Sequence, residues 1–116
     1  GAMAEDEAWH EVARVGDVSE DDVLQVDAGG KCVALFNVGG VYYATSGICT
    51  HAHAFLADGY VQDDTIECPL HQGVFHIPTG RAMCPPVTKD LEVFPVKVED
   101  GRIFVGSNPV PPRPAK

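Results

Sequence analysis

The feature that most limits what this chain can fold into is a set of four residues in two short pieces. Cys49-Thr50-His51 is followed, after sixteen intervening residues, by Cys68-Pro69-Leu70-His71. Each piece supplies one thiol and one imidazole. Thiolates suit iron–sulfur clusters and zinc, while imidazole suits iron, zinc and copper. Two loops that each give one soft and one borderline donor can clamp a single metal cofactor, so the fold has to bring both loops to one place. Each piece follows a strand-like run, from whose end a loop can present side chains on a rigid scaffold. One tetrahedral zinc ion would accept the same donors. The usual zinc spacings pair two cysteines and then two histidines, which is not the order here.

The rest of the chain reads as short strands separated by turn residues, the pattern of an all-β sandwich or barrel. Strands are expected over Trp9 to Val15, Val23 to Val26, Cys32 to Asn37, Val41 to Thr45, Tyr60 to Gln62, Thr65 to Cys68, Val74 to His76, Leu91 to Val98 and Arg102 to Val105. Gly39-Gly40 joins two apolar runs and supplies the positive φ angles of a primed hairpin turn. Glu99-Asp100-Gly101 is expected to turn the chain in the same way. The best helix candidate is Ser19 to Leu24, short enough to be a turn instead. Pro85 and Pro86 make the stretch from Cys84 to Asp90 a rigid loop or sheet edge. Asn108 to Lys116 holds four prolines and reads as an extended tail.

At 116 residues the chain suits one domain with a modest core, which a bound metal would help to stabilise. The formal net charge of −9 leaves no basic stripe to neutralise phosphates, so nucleic acid is not expected as a partner. That charge fits docking onto a basic protein surface, or plain solubility. No apolar run is long enough to span a membrane, and the N-terminus is acidic at Glu5, Asp6 and Glu7, without the apolar core of a signal peptide. A cytoplasmic protein is therefore expected. There, cysteines alternating with histidines read better as metal ligands than as disulfides. Gly1-Ala2 resembles a protease-cleavage scar ahead of Met3.

The two cysteine–histidine pieces resemble those of the Rieske family, and the resemblance extends to the strands before the first loop and to a proline-bearing third loop at Cys84-Pro85-Pro86. It implies an antiparallel Rieske fold over residues 4–107, with a small cluster-binding subdomain. The cluster loops would run over 49–55 and 68–76, and the proline loop over 84–90. It also implies one [2Fe–2S] cluster, with Cys49 and Cys68 on the buried iron and His51 and His71 on the outer one. Two thiolates cancel the charge of two ferric ions and two sulfides. Reduction then starts from a neutral centre, and the potential is higher than with four cysteines.

Other candidates read as structural. His53 does not match the family's Cys-x-His spacing and is expected beside the cluster. His76 alternates with Phe75 and Ile77 on a strand, and His10 stands beside Trp9. Cys32 is expected to be a small buried hydrophobe, and Cys84 a neighbour of the cluster. Gly73 and Gly80 should serve tight turns. Asp58, Asp63, Asp64 and Glu67 make a solvated acidic face.

Within the family, bc-type subunits carry an extra cysteine in each cluster loop. The matching positions here are Ala54 and Leu70, so that disulfide is absent. Terminal oxygenase domains usually read Cys-Pro-Tyr-His-Gly-Trp, and this chain lacks the tryptophan and has no room for a mononuclear iron domain. What remains is similar to the soluble Rieske ferredoxins of aromatic-ring dioxygenase and hydroxylase systems, such as those acting on naphthalene and salicylate. The resemblance implies a monomeric electron carrier, not an enzyme. It would take electrons from an NADH-dependent flavin reductase and give them to a terminal Rieske oxygenase. The small Rieske subunit of an assimilatory nitrite reductase shares the fold and is the alternative reading.

Overall fold

The computed structural model describes residues 8–50, 54–70, 73–84 and 89–110. Among these residues eleven strands form three antiparallel sheets. The first sheet holds β1 (Trp9–Arg14), β10 (Val96–Glu99) and β11 (Arg102–Gly106), in the order β1-β11-β10. The second holds β2 (Asp22–Ala28), β3 (Lys31–Val38), β4 (Val41–Ser46) and β9 (Val93–Phe94), in that order. The third holds β5 (Tyr60–Gln62), β6 (Thr65–Glu67), β7 (Val74–His76) and β8 (Ala82–Cys84), also in that order. A single 3₁₀ turn at Leu56–Asp58 leads from the second sheet towards the third.

The central element is β3. Its run Val33-Ala34-Leu35-Phe36-Asn37 is buried throughout, so both faces of the strand are covered. Alternation along a strand sends neighbours to opposite faces. Ala34 and Phe36 accordingly pack with Leu56, Ile66, Phe75 and Ile77 of the third-sheet side, while Val33 and Leu35 pack against Val105 and Ile103 of the first sheet. Cross-strand register keeps each row on one face. Val23, Phe36 and Tyr43 are partners across β2, β3 and β4 and all face the third-sheet core, whereas Leu24, Leu35 and Ala44 face the other way.

Turn chemistry sets that register. The expected Gly39-Gly40 turn has φ of +59° and +94°, as a two-residue primed hairpin requires, and it pairs Val38 with Val41. The expected turn at Glu99-Asp100-Gly101 also forms, with Glu99 opposite Arg102. Asn37 braces one side of this layer: its Nδ2 donates to the Val18 carbonyl at 2.9 Å and its Oδ1 accepts the Gly40 N–H at 2.9 Å.

Two expectations need correction. Ser19 to Leu24 is not a helix; its alternative reading, a turn, holds at Glu20 and Asp21. Asp21 takes φ +62° and donates its N–H to the Asn37 carbonyl, and β2 then starts at Asp22, in full register with β3. The long partner strand prevails over a weak local preference. Leu91 to Val98 is not one strand but two. β9 pairs with β4 in the second sheet, β10 pairs with β11 in the first, and the chain changes sheets at Pro95, which has no N–H to give a ladder. Cys84 ends β8 at the edge of the third sheet, opposite Val74, in keeping with the expected sheet edge.

Phe36 fills the space between β3 and the third sheet and is fully buried. Phe36→Ala should cost about 3–5 kcal/mol, as for other large core truncations. Urea unfolding should show a lowered midpoint with an unchanged slope.

Candidate metal centre

The two cysteines close two similar loops. Ile48 and Phe55 form a bridge at the mouth of the first, and the Cys49 N–H donates to the Ala54 carbonyl at 2.9 Å. In the second, the Cys68 N–H donates to the Gly73 carbonyl at 2.7 Å. Each cysteine therefore bonds the residue five positions on, and each matched histidine lies within the loop so closed. The loops start from different sheets: the first follows β4 in the second sheet and the second joins β6 to β7 in the third. His51, His53, His71, Gln72 and Pro85 to Thr88 lie outside the described residues, as does the side chain of Cys84.

The cysteine side chains face inward and meet. Cys49 is 4% exposed and Cys68 is 1% exposed, both as free thiols, within the core that holds Phe36, Leu56 and Phe75. Cys49 lies near enough to Cys68 to act on its thiol, as does the Leu70 backbone N–H. Burial pushes the Cys68 thiol up from its ordinary range; the Leu70 N–H pulls it down, and the neighbouring Cys49 adds to the rise. Two buried thiols that share one apolar core and act on each other match the chemistry of sulfur ligands to an iron. That Leu70 donor was not foreseen from sequence, because a backbone N–H carries no residue-type signal.

Around the loops, Ile48, Phe55 and Leu70 are large apolar side chains left more than 40% exposed. On the first loop, the Thr50 hydroxyl donates to the Lys89 carbonyl at 2.7 Å, a contact sequence reasoning also missed.

The remaining candidates fall away from the thiol pair. His76 sits on β7 at the end away from the second loop. Its Nε2 is 2.9 Å from an Asp64 carboxylate oxygen and its Nδ1 2.8 Å from the Thr79 hydroxyl, so it staples the β5–β6 turn to the turn after β7. The structural reading of His76 holds. Asp64 thus spends part of the acidic face on the contact with His76, while Asp58 and Asp63 are exposed and Glu67 is half-buried. His10 packs against Gly29, where an added Cβ would lie 2.6 Å from its ring. Cys32 is only half-buried, not fully so, because it lies near the end of β3 against Gly47. Burial raises its thiol, with Asp27 adding to the rise. Gly80 takes φ +74° in the turn after Thr79, as expected.

A match to the Rieske [2Fe-2S] domain covers residues 8–95. The chain belongs to the Rieske family. It is 45% identical over 97 residues to the ferredoxin component of the naphthalene 1,2-dioxygenase/salicylate 5-hydroxylase systems of a Ralstonia species, covering 84% of this chain and 93% of that one. A chain in the solved complex of reduced oxygenase and oxidized ferredoxin in carbazole 1,9a-dioxygenase superposes with a TM-score of 0.83 at 35% identity, over 88% of this chain and 95% of that one. A Mycobacterium tuberculosis chain described as an NADH-dependent nitrite reductase small subunit superposes at 0.77, over 90% of this chain and 98% of that one, but at 23% identity it shows a shared fold alone. This Rieske protein has the all-β fold expected of it, carries one [2Fe–2S] cluster and is an electron carrier of the ferredoxin kind, not an oxygenase. No helix among the described residues is long and apolar enough to cross a membrane.

The purified protein should be red-brown and hold about two irons and two acid-labile sulfides per chain. Metal and sulfide analysis checks this; a colourless protein with one zinc would contradict it.

Proposed function

We propose that Cys49 and Cys68 hold the buried iron of the cluster, that His51 and His71 hold the outer one, and that the protein carries single electrons to a terminal oxygenase acting on an aromatic compound. Its electron source in this reading is an NADH-dependent flavin reductase, and it works as a cytoplasmic monomer. The single observation that carries the ligand set is the buried pair of thiols, on cysteines that each close a six-residue backbone span containing one of the two histidines. The oxygenase role rests on the kind of relative reported above.

When bound, the cluster takes up and gives off one electron. The residues around it do the rest. The apolar packing about Cys49 and Cys68 keeps water from their sulfurs, and the Leu70 N–H offers a donor that stabilises negative charge on Cys68. Ile48, Phe55 and Leu70 provide a dry contact surface beside the loops that carry the histidines, suited to brief docking. The net charge of −9 would speed encounter with a basic partner.

Rieske potentials span about −150 to +300 mV, and this one should lie near the bottom. High-potential relatives place a serine hydroxyl where this chain has Gly73, so one hydrogen bond to cluster sulfide is missing. Residue 73 is buried and its carbonyl already closes the second loop. Gly73→Ser should therefore raise the midpoint potential in protein-film voltammetry. A wild-type potential well above zero would contradict the ferredoxin reading.

Alanine at Cys49, His51, Cys68 or His71 should abolish cluster assembly or nearly so, whereas His53→Ala and His76→Ala should keep the visible spectrum. Loss of iron in His53→Ala with retention in His51→Ala would overturn the ligand set. For the docking role, Phe55→Glu should slow electron delivery to a terminal Rieske oxygenase in stopped-flow mixing about tenfold or more. Its spectrum should be unchanged.

A further inference from the structure

The Thr50 hydroxyl is the described side-chain bond that ties the first cluster loop to the segment after the proline loop. Thr50 stands between Cys49 and His51, and its Oγ1 donates to the Lys89 carbonyl at 2.7 Å. The acceptor is itself held firmly. Beside it, Asp90 receives the Ala82 N–H of β8 on its carboxylate at 2.8 Å, and the Leu91 N–H donates to the Gly80 carbonyl at 2.7 Å. Asp90 and Leu91 are thus fixed to the start of β8 and to the turn before it. Leu91 is buried in the same core as both cysteines. The first loop starts from β4 in the second sheet, so its attachment to the third-sheet side runs through this hydroxyl and through the packing of Cys49, Ala54 and Leu56.

We propose that Thr50 is a positioning residue: its hydroxyl clasps the first cluster loop to the Lys89–Leu91 segment and so sets how closely that loop covers the cluster. Threonine suits the task because its branched side chain is stiff at χ1, so the donor is aimed before the bond forms. The clasp rests on the ligand set proposed above, since it matters only if Cys49 and His51 hold the cluster.

Its removal should act on the cluster without unfolding the protein. Thr50→Val keeps the shape and loses the donor; Thr50→Ser keeps the donor. In Thr50→Val, cluster bleaching in excess chelator should speed up about fivefold, the weight of one ordinary hydrogen bond. The midpoint potential should rise, as water reaches a centre that gains negative charge on reduction. The EPR g-values of the reduced protein should broaden. Thr50→Ser should behave as the wild type in all three measurements. Asp90→Ala, which frees the acceptor segment, should move bleaching in the same direction. Combined with Thr50→Val it should add less than its separate effect, because both changes open one clasp. Should Thr50→Val fail to load a cluster, Asp90→Ala alone still tests the clasp by bleaching rate and potential. Wild-type bleaching and potential in Thr50→Val would overturn the proposal, as would a Thr50→Ser as impaired as Thr50→Val, or full additivity with Asp90→Ala. If Cys49→Ala keeps its cluster, the ligand reading fails instead, a result distinct from a failure of the clasp.

Discussion

Burial of β3 on both faces is the constraint on which the molecule depends. One row of its side chains, Val33 and Leu35, is covered by the first sheet, and the alternate row, Ala34 and Phe36, forms the floor beneath both cysteines. A strand covered on one side only would leave the third sheet with no apolar surface to sit on. The short strands β5 to β8 are two or three residue pairs long in their ladders, too short to stand alone in water. They are held by Ile66, Phe75 and Ile77 packing onto that floor, and the metal loops inherit their position from this contact.

The same layering explains why the thiols fit an iron. Placing two sulfurs in an apolar core is unfavourable for their charged forms, which a metal reverses by supplying positive charge where water cannot. Protein and cofactor are therefore mutually dependent. The core around Cys49 and Cys68 keeps the thiols close together, and the bound metal offsets the cost of ionising them there.

The sequence made some parts of this legible and hid others for physical reasons. Cys49-x-His51 and Cys68-x-x-His71 could be read because metal-ligating residue types are rare and their spacing is local. The Gly39-Gly40 turn could be read because its positive φ angles select glycine. Most strands were legible from alternation, down to the ends of β5 and β7. The change of sheet at Pro95 was not, although proline carried a signal, because apolar residues on both sides of it suit a single continuous strand. Ser19 to Leu24 misled because its acidic start resembles a helix cap, while the competing force, pairing with β3, comes from residues further along the chain. The Thr50 contact was invisible because its acceptor is a backbone carbonyl 39 residues away. A carbonyl is present at every position and marks none.

The pairing of β1 with β11 has a consequence for how the molecule is made. Trp9 lies opposite Gly106, so β1 leaves the ribosome long before the strand that gives its backbone groups partners. The hairpins of the second sheet have no such delay, since β2, β3 and β4 are neighbours in both chain and space. The third sheet and the two cysteine loops are likewise synthesised before β11. Closure of β1 onto β11 would then be the late, slow step that long-range strand pairing imposes.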